Sequence, residues 1–138
     1  MTLDKDKEIE DVLGKKTIAV VGCSSTPGKA AHDVPEYLKS HGYTVVPVNP
    51  YSDEILGEKS YDSLYEAAKD HEIDVVEVFR PSEEVSGIVD EVLDLGDVDV
   101  FWMQTGIMDV DSAERAEKEG IDVVMDRCMK VEHGRLMA

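Results

Sequence analysis

The sequence predicts a single-domain, doubly wound α/β fold of about five parallel strands in the order 3-2-1-4-5, with helices on both faces of the sheet. Three observations carry this reading. Five β-like runs recur at Ile18–Val21, Tyr43–Val48, Val75–Phe79, Val98–Trp102 and Asp122–Met125, and segments of helical composition separate them. The first run, Thr17-Ile18-Ala19-Val20-Val21, is too continuously apolar to leave one face in water, as a strand of a covered parallel sheet requires. The 138 residues, 42% of them hydrophobic, suffice for one core and leave little room for a second.

The elements follow in order. Residues 1–13 read as an amphipathic lead-in helix with Ile9, Val12 and Leu13 apolar, and residues 14–138 as the domain itself. After the first strand come Gly22-Cys23-Ser24-Ser25-Thr26-Pro27-Gly28-Lys29, small residues, hydroxyls and one lysine leading into a helix over Ala31–Ser40. Such a loop lets backbone N–H groups approach an anion at a helix N-terminus. Pro35 is comfortable only in a first turn, which predicts Asp33 as the cap of the regular helix and Ala30–His32 as a looser entry. The second strand ends in Asn49-Pro50. Further helices are predicted over Tyr61–Lys69, Glu83–Leu93 and Val110–Glu119, with Gly42, Gly96 and Gly120 at or shortly after helix C-termini. No internal repeat or low-complexity linker interrupts the pattern.

Charge narrows the partners. The chain carries 31 acidic residues against 14 Lys and Arg, a net −17 dispersed along its whole length. Nucleic acid and anionic membrane surfaces are thereby excluded as expected partners. A dispersed acidic surface suits a salt-rich cytosol, where a Debye length of about 3 Å at 1 M screens self-repulsion, so a halophilic source is expected. No apolar run approaches the roughly 20 residues of a membrane span. The charged N-terminus does not resemble a signal peptide, which predicts a cytoplasmic protein. The two cysteines, Cys23 and Cys128, have no paired spacing and are expected to be reduced thiols.

In a doubly wound sheet the ligand sits outside the carboxyl ends of the strands. There the sequence places Asn49-Pro50, Phe79-Arg80, Gln104-Thr105-Gly106-Ile107 and Asp126-Arg127-Cys128. Three of the four arginines, Arg80, Arg127 and Arg135, fall in these loops or the tail beyond. Several familiar nucleotide sites are disfavoured. Five residues separate Gly22 from Gly28, and Ala30 stands where a Walker A loop needs a magnesium-binding hydroxyl. Ser24 replaces the second glycine of the dinucleotide fingerprint, and Asn49-Pro50 supplies no carboxylate for a ribose 2′-hydroxyl. Cys23 and Lys29 mimic a phosphatase loop, but lysine lacks the planar fork that holds a transferring phosphoryl group.

Several ordered segments together resemble the small CoA-binding proteins, a Rossmann-like family related to the CoA-binding domain of succinyl-CoA synthetase. They are Val20-Val21-Gly22-Cys23-Ser24-Ser25 with Pro27 and Lys29, His41 to Pro50, Asp74 to Arg80, Trp102 to Ile107 and Val124 to His133, and the likeness spans nearly all of residues 12–136. The high acidity is the main departure from the family's usual composition. The resemblance implies coenzyme A as cofactor, its diphosphate over Gly22–Lys29 and its adenosine against Pro47–Pro50. Pantetheine would run past the third and fourth strands. On that reading Gly22, Cys23, Ser24, Ser25 and Lys29 meet the diphosphate, Val48, Asn49 and Pro50 the adenosine, and Phe79, Gln104, Gly106 and Ile107 the pantetheine. Lys29 and Arg80 are the candidates for the 3′-phosphate.

No catalytic or metal-binding residue is assigned. Cys128 beside Arg127 and Lys130 invites a redox reading, but a small packed residue is the expected role, as for Cys23. His32, His41, His71 and His133 lack metal-ligand or triad spacing. Trp102 and Met103 read as core. The expected function is therefore a non-catalytic CoA or acyl-CoA binding protein, with a homodimer or a protein partner left open. The alternatives are an enzyme or enzyme subunit acting on an acyl-CoA thioester, and an NADP- or nucleotide-binding regulatory module for which Arg80 would meet the 2′-phosphate.

Overall fold

The computed structural model describes residues 2–138; Met1, at the start of the expected lead-in helix, lies outside them. The element order is α1 (Asp6–Val12), β1 (Thr17–Val21), α2 (Ala30–Ser40), β2 (Thr44–Val48), β3 (Glu54–Ile55), β4 (Glu58–Lys59), α3 (Leu64–Asp70), β5 (Val75–Val78), α4 (Val85–Leu95), β6 (Val100–Met103), α5 (Val110–Lys118), β7 (Asp122–Val124) and α6 (Met129–Leu136). A 3-10 turn over Ser82–Glu84 leads into α4.

Five strands form one parallel sheet, as the apolar runs predict. Strand alternation divides its side chains between two cores. Ala19, Val46, Val76, Phe101 and Val123 pack on one face with residues of α3, α4 and α5, and Ile18, Val20, Val45, Val75, Trp102 and Val124 on the other with residues of α1, α2 and α6. Ile9 and Leu13 are completely buried, so the residues around α1 belong to the second core.

The strand order corrects the expected one. It is β2-β1-β5-β6-β7, or 2-1-3-4-5 of the five principal strands, where 3-2-1-4-5 was predicted. The third principal strand pairs with β1 and leaves β2 at the edge. Pro47 gives the reason. The Val48 carbonyl faces β1, where it accepts the Gly22 N–H at 3.0 Å, so the Pro47 nitrogen and carbonyl face outward. A further parallel strand on that side would have met a residue with no N–H to donate, which confines Pro47 to an edge. Instead, the outward Pro47 carbonyl accepts one hydrogen bond, from the Tyr61 N–H at 3.0 Å.

Three local features also depart from expectation. A short hairpin, β3–β4, turns through Leu56 and Gly57, both at positive φ (56° and 75°), the geometry of a type I′ turn. Residues 129–136, read as a tail, form α6, because the Gln104 Oε1 accepts the Met129 N–H at 2.9 Å and the burial of Met129 and His133 anchors the helix. Lys29, not Asp33, is the N-cap of α2, and Pro35 sits inside that helix. Among the described residues no helix is long and apolar enough to cross a membrane.

Candidate functional site

The carboxyl ends of β1, β2 and β5 surround a cleft of about 380 Å³. Val21, Val48, Pro50, Leu64 and Ile88 supply apolar walls; Asn49, Tyr51, Asp62, Ser63, Arg80, Glu84 and Glu91 supply its polar groups. Hollows of about 470 and 620 Å³ open at the opposite end of the sheet. They are larger, but Asp97 and Asp99 line both and would repel an anion.

Gly22 and Arg80 make the floor. Gly22 has φ +85°, and a Cβ there would lie 2.8 Å from Arg80 Cδ and 3.1 Å from the Phe79 carbonyl oxygen. Only glycine tolerates both the backbone conformation and the crossing arginine stem. The guanidinium then donates twice to Glu84, from Nε to Oε1 at 3.1 Å and from Nη2 to Oε2 at 2.8 Å. This pair lowers the Glu84 pKa and raises that of Arg80. Both side chains are about half exposed (47% and 46%), so the pair contributes under about 1 kcal/mol and yields readily to a competing anion. Among the described residues lining the cleft, Arg80 is the one cation against Asp62, Glu84 and Glu91. Burial raises the Glu91 pKa.

The Gly22–Lys29 loop is internally braced. The Ser24 N–H donates to the Ala31 carbonyl at 3.0 Å, and Ser24 Oγ accepts the Thr26 N–H at 3.0 Å. Asp33 reaches back from α2 to accept the Gly28 N–H at 3.1 Å, and its hydrogen bond with His32, the larger effect, and with Gly28 lowers its pKa. The Cys23 side chain is buried, and desolvation, aided by the charge of Glu77, pushes its thiol up to about 12. Ser25 and Lys29 are exposed at the loop surface.

Asn49 acts as a clamp: its Nδ2 donates to the Cys23 carbonyl at 2.9 Å and its Oδ1 accepts the Tyr51 N–H at 2.8 Å. The structure thus brings Gly22, Val48, Asn49, Pro50 and Arg80 together in the cleft. Phe79 and Ile107 do not line the cleft; both are partly buried, Phe79 against the core on the α2/α6 side of the sheet and Ile107 against the opposite core. Gln104 is buried and holds the N-terminus of α6, while the Gly106 N–H donates to Asp126 Oδ1 at 2.7 Å. Neither Arg127 nor Arg135 lines the cleft; both pair with Glu132.

Sequence reasoning missed Tyr51, Asp62, Leu64, Glu84, Ile88 and Glu91 as cleft residues. Tyr51 adjoins Asn49-Pro50 and could have been found by extending that loop one residue. The others arrive by the packing of α3 and α4 on the sheet, which no local pattern announces.

The model of the CoA binding domain family matches residues 16–134. An uncharacterized protein of Bacillus subtilis, YneT, is 42% identical over 127 residues, covering 91% of this chain and 92% of that protein. A solved structure of a Thermus thermophilus protein, cell-free ID.343, superposes with a TM-score of 0.90 at 39% identity, over 97% of this chain and all of that one (100%). An ADP-forming acetate–CoA ligase of Methanocaldococcus jannaschii is 28% identical over 114 residues, 83% of this chain but only 16% of the ligase. The chain belongs to the CoA binding domain family.

Proposed function

We propose that this chain binds coenzyme A or an acyl-CoA in the cleft at the ends of β1, β2 and β5, and that it does so as a binding module without chemistry of its own. The observation that carries the reading is the crossing of Arg80 over Gly22, which sets a cation where three strand ends and the small-residue loop converge. Membership of the family supports the ligand. The adenosine end fits the walls of Val48, Pro50, Leu64 and Ile88, the diphosphate lies toward the exposed side of the Gly22–Lys29 loop, and Arg80 meets the 3′-phosphate.

The test is calorimetric titration with CoA, dephospho-CoA and NADP. CoA is expected to bind, with affinity reduced about ten-fold or more by loss of the 3′-phosphate or by Arg80→Gln, as for a charge-assisted contact. Preference for NADP, or indifference to both changes, would overturn the assignment.

A further inference from the structure

Tyr51 is the most exposed large apolar side chain among the described residues, 94% accessible, yet its backbone is fixed. Its N–H donates to Asn49 Oδ1 at 2.8 Å, and Asn49 is itself held by the Tyr61 carbonyl, which accepts its N–H at 2.9 Å, and by the Ser60 hydroxyl, which donates to its carbonyl at 3.0 Å. The same Asn49 side chain donates to the Cys23 carbonyl in the loop after β1. An aromatic ring is therefore presented to solvent from a rigid base, on the rim of a cleft whose walls are apolar. No other aromatic side chain lines that cleft among the described residues. Tyr51 and Arg80 line the same cleft, so ring and cation share one mouth.

We infer that Tyr51 is a stacking platform for the purine base of the bound nucleotide and helps to set its affinity and specificity. The inference rests on the CoA reading above and extends it to a residue outside the phosphate loop. A planar base bearing a phosphate on its ribose matches the pairing of ring and guanidinium, with the base on Tyr51 and the phosphate at Arg80. Stacking on a ring whose backbone is already held loses only side-chain freedom, and such contacts tolerate exchange among aromatic residues.

Titration of wild type, Tyr51→Ser, Tyr51→Phe and Tyr51→Trp with CoA, adenosine 3′,5′-bisphosphate and 4′-phosphopantetheine tests this. Tyr51→Ser should weaken CoA and the bisphosphate about ten-fold and leave 4′-phosphopantetheine unchanged; the aromatic replacements should stay within about two-fold of wild type. Wild-type affinity for CoA in Tyr51→Ser would overturn the inference while leaving the CoA reading intact. Equal loss for 4′-phosphopantetheine would overturn it too, by showing a general disturbance of the loop. Failure of wild type to bind CoA at all would remove the reading on which the inference stands. With its exposed side chain, Tyr51→Ser is expected to unfold at the wild-type temperature.

Discussion

The Ser24 N–H donates at 3.0 Å to the Ala31 carbonyl, the acceptor that Pro35 leaves free within α2. A residue at position 35 with an N–H would claim that carbonyl for the helix. Proline inside α2 therefore has a second consequence besides interrupting the hydrogen-bond ladder: it docks the loop after β1 onto the first turns of the helix. Pro35→Ala should reduce the protection of the Ser24 amide in hydrogen exchange, because two donors then compete for one acceptor. Unchanged protection would show that the loop is held by Asn49 and Asp33 alone.

Gly22→Ala should be costly for two separable reasons. The positive φ and the contact with Arg80 Cδ together predict a loss of about 1–3 kcal/mol in stability, read by denaturant titration. Displacement of Arg80 predicts weaker CoA binding by about ten-fold. In an Arg80→Ala background the steric part should shrink and the φ part remain.

If Arg80 meets a ligand phosphate as proposed, Glu84 competes for it through the existing ion pair. Glu84→Gln is expected to tighten CoA binding by about three-fold, matching the modest strength of a half-exposed ion pair. Weaker binding in this variant would mean that Glu84 positions Arg80 for the ligand.

Glu77 lies fully buried in β5 between Val20 and Trp102, with neither carboxyl oxygen hydrogen-bonded among the described residues. Desolvation pushes its pKa up from 4.5 to about 8. The folded state then keeps a proton that the unfolded chain gives up, so this group's contribution is intact below about pH 4.5, declines between there and about pH 8, and stays lost above. The difference in unfolding free energy between Glu77→Gln and wild type, measured from pH 5 to pH 9, should grow as pH rises, by on the order of 4 kcal/mol. A constant difference would refute a protonated Glu77.

The net charge of −17 predicts stability that rises with salt. The melting temperature should increase between about 0.1 M and about 2 M KCl as the Debye length falls from roughly 10 Å toward the size of an ion pair. A flat or falling curve would identify an ordinary acidic surface and remove the expectation of a halophilic source.

The sequence by itself determined the five-stranded parallel sheet, the helices on both faces, the strand-end location of the cleft and the family, because apolar runs, glycines and the ordered loop segments are local signals. It also contained, unread, the reason that β2 is an edge strand, in the missing N–H of Pro47. Only the tertiary structure decided which strand-end residues share a pocket. Phe79 and Arg80 are neighbours in sequence, yet alternation turns the phenyl ring against the core on one side of the sheet and leads the arginine stem over Gly22 to the cleft. Gln104 and Ile107 were drawn into packing and capping, while Leu64, Glu84 and Ile88 were brought in by helices whose approach depends on side-chain volumes across the whole core. A local pattern specifies what each segment becomes, whereas the meeting of distant segments is fixed by the packing of all of them at once.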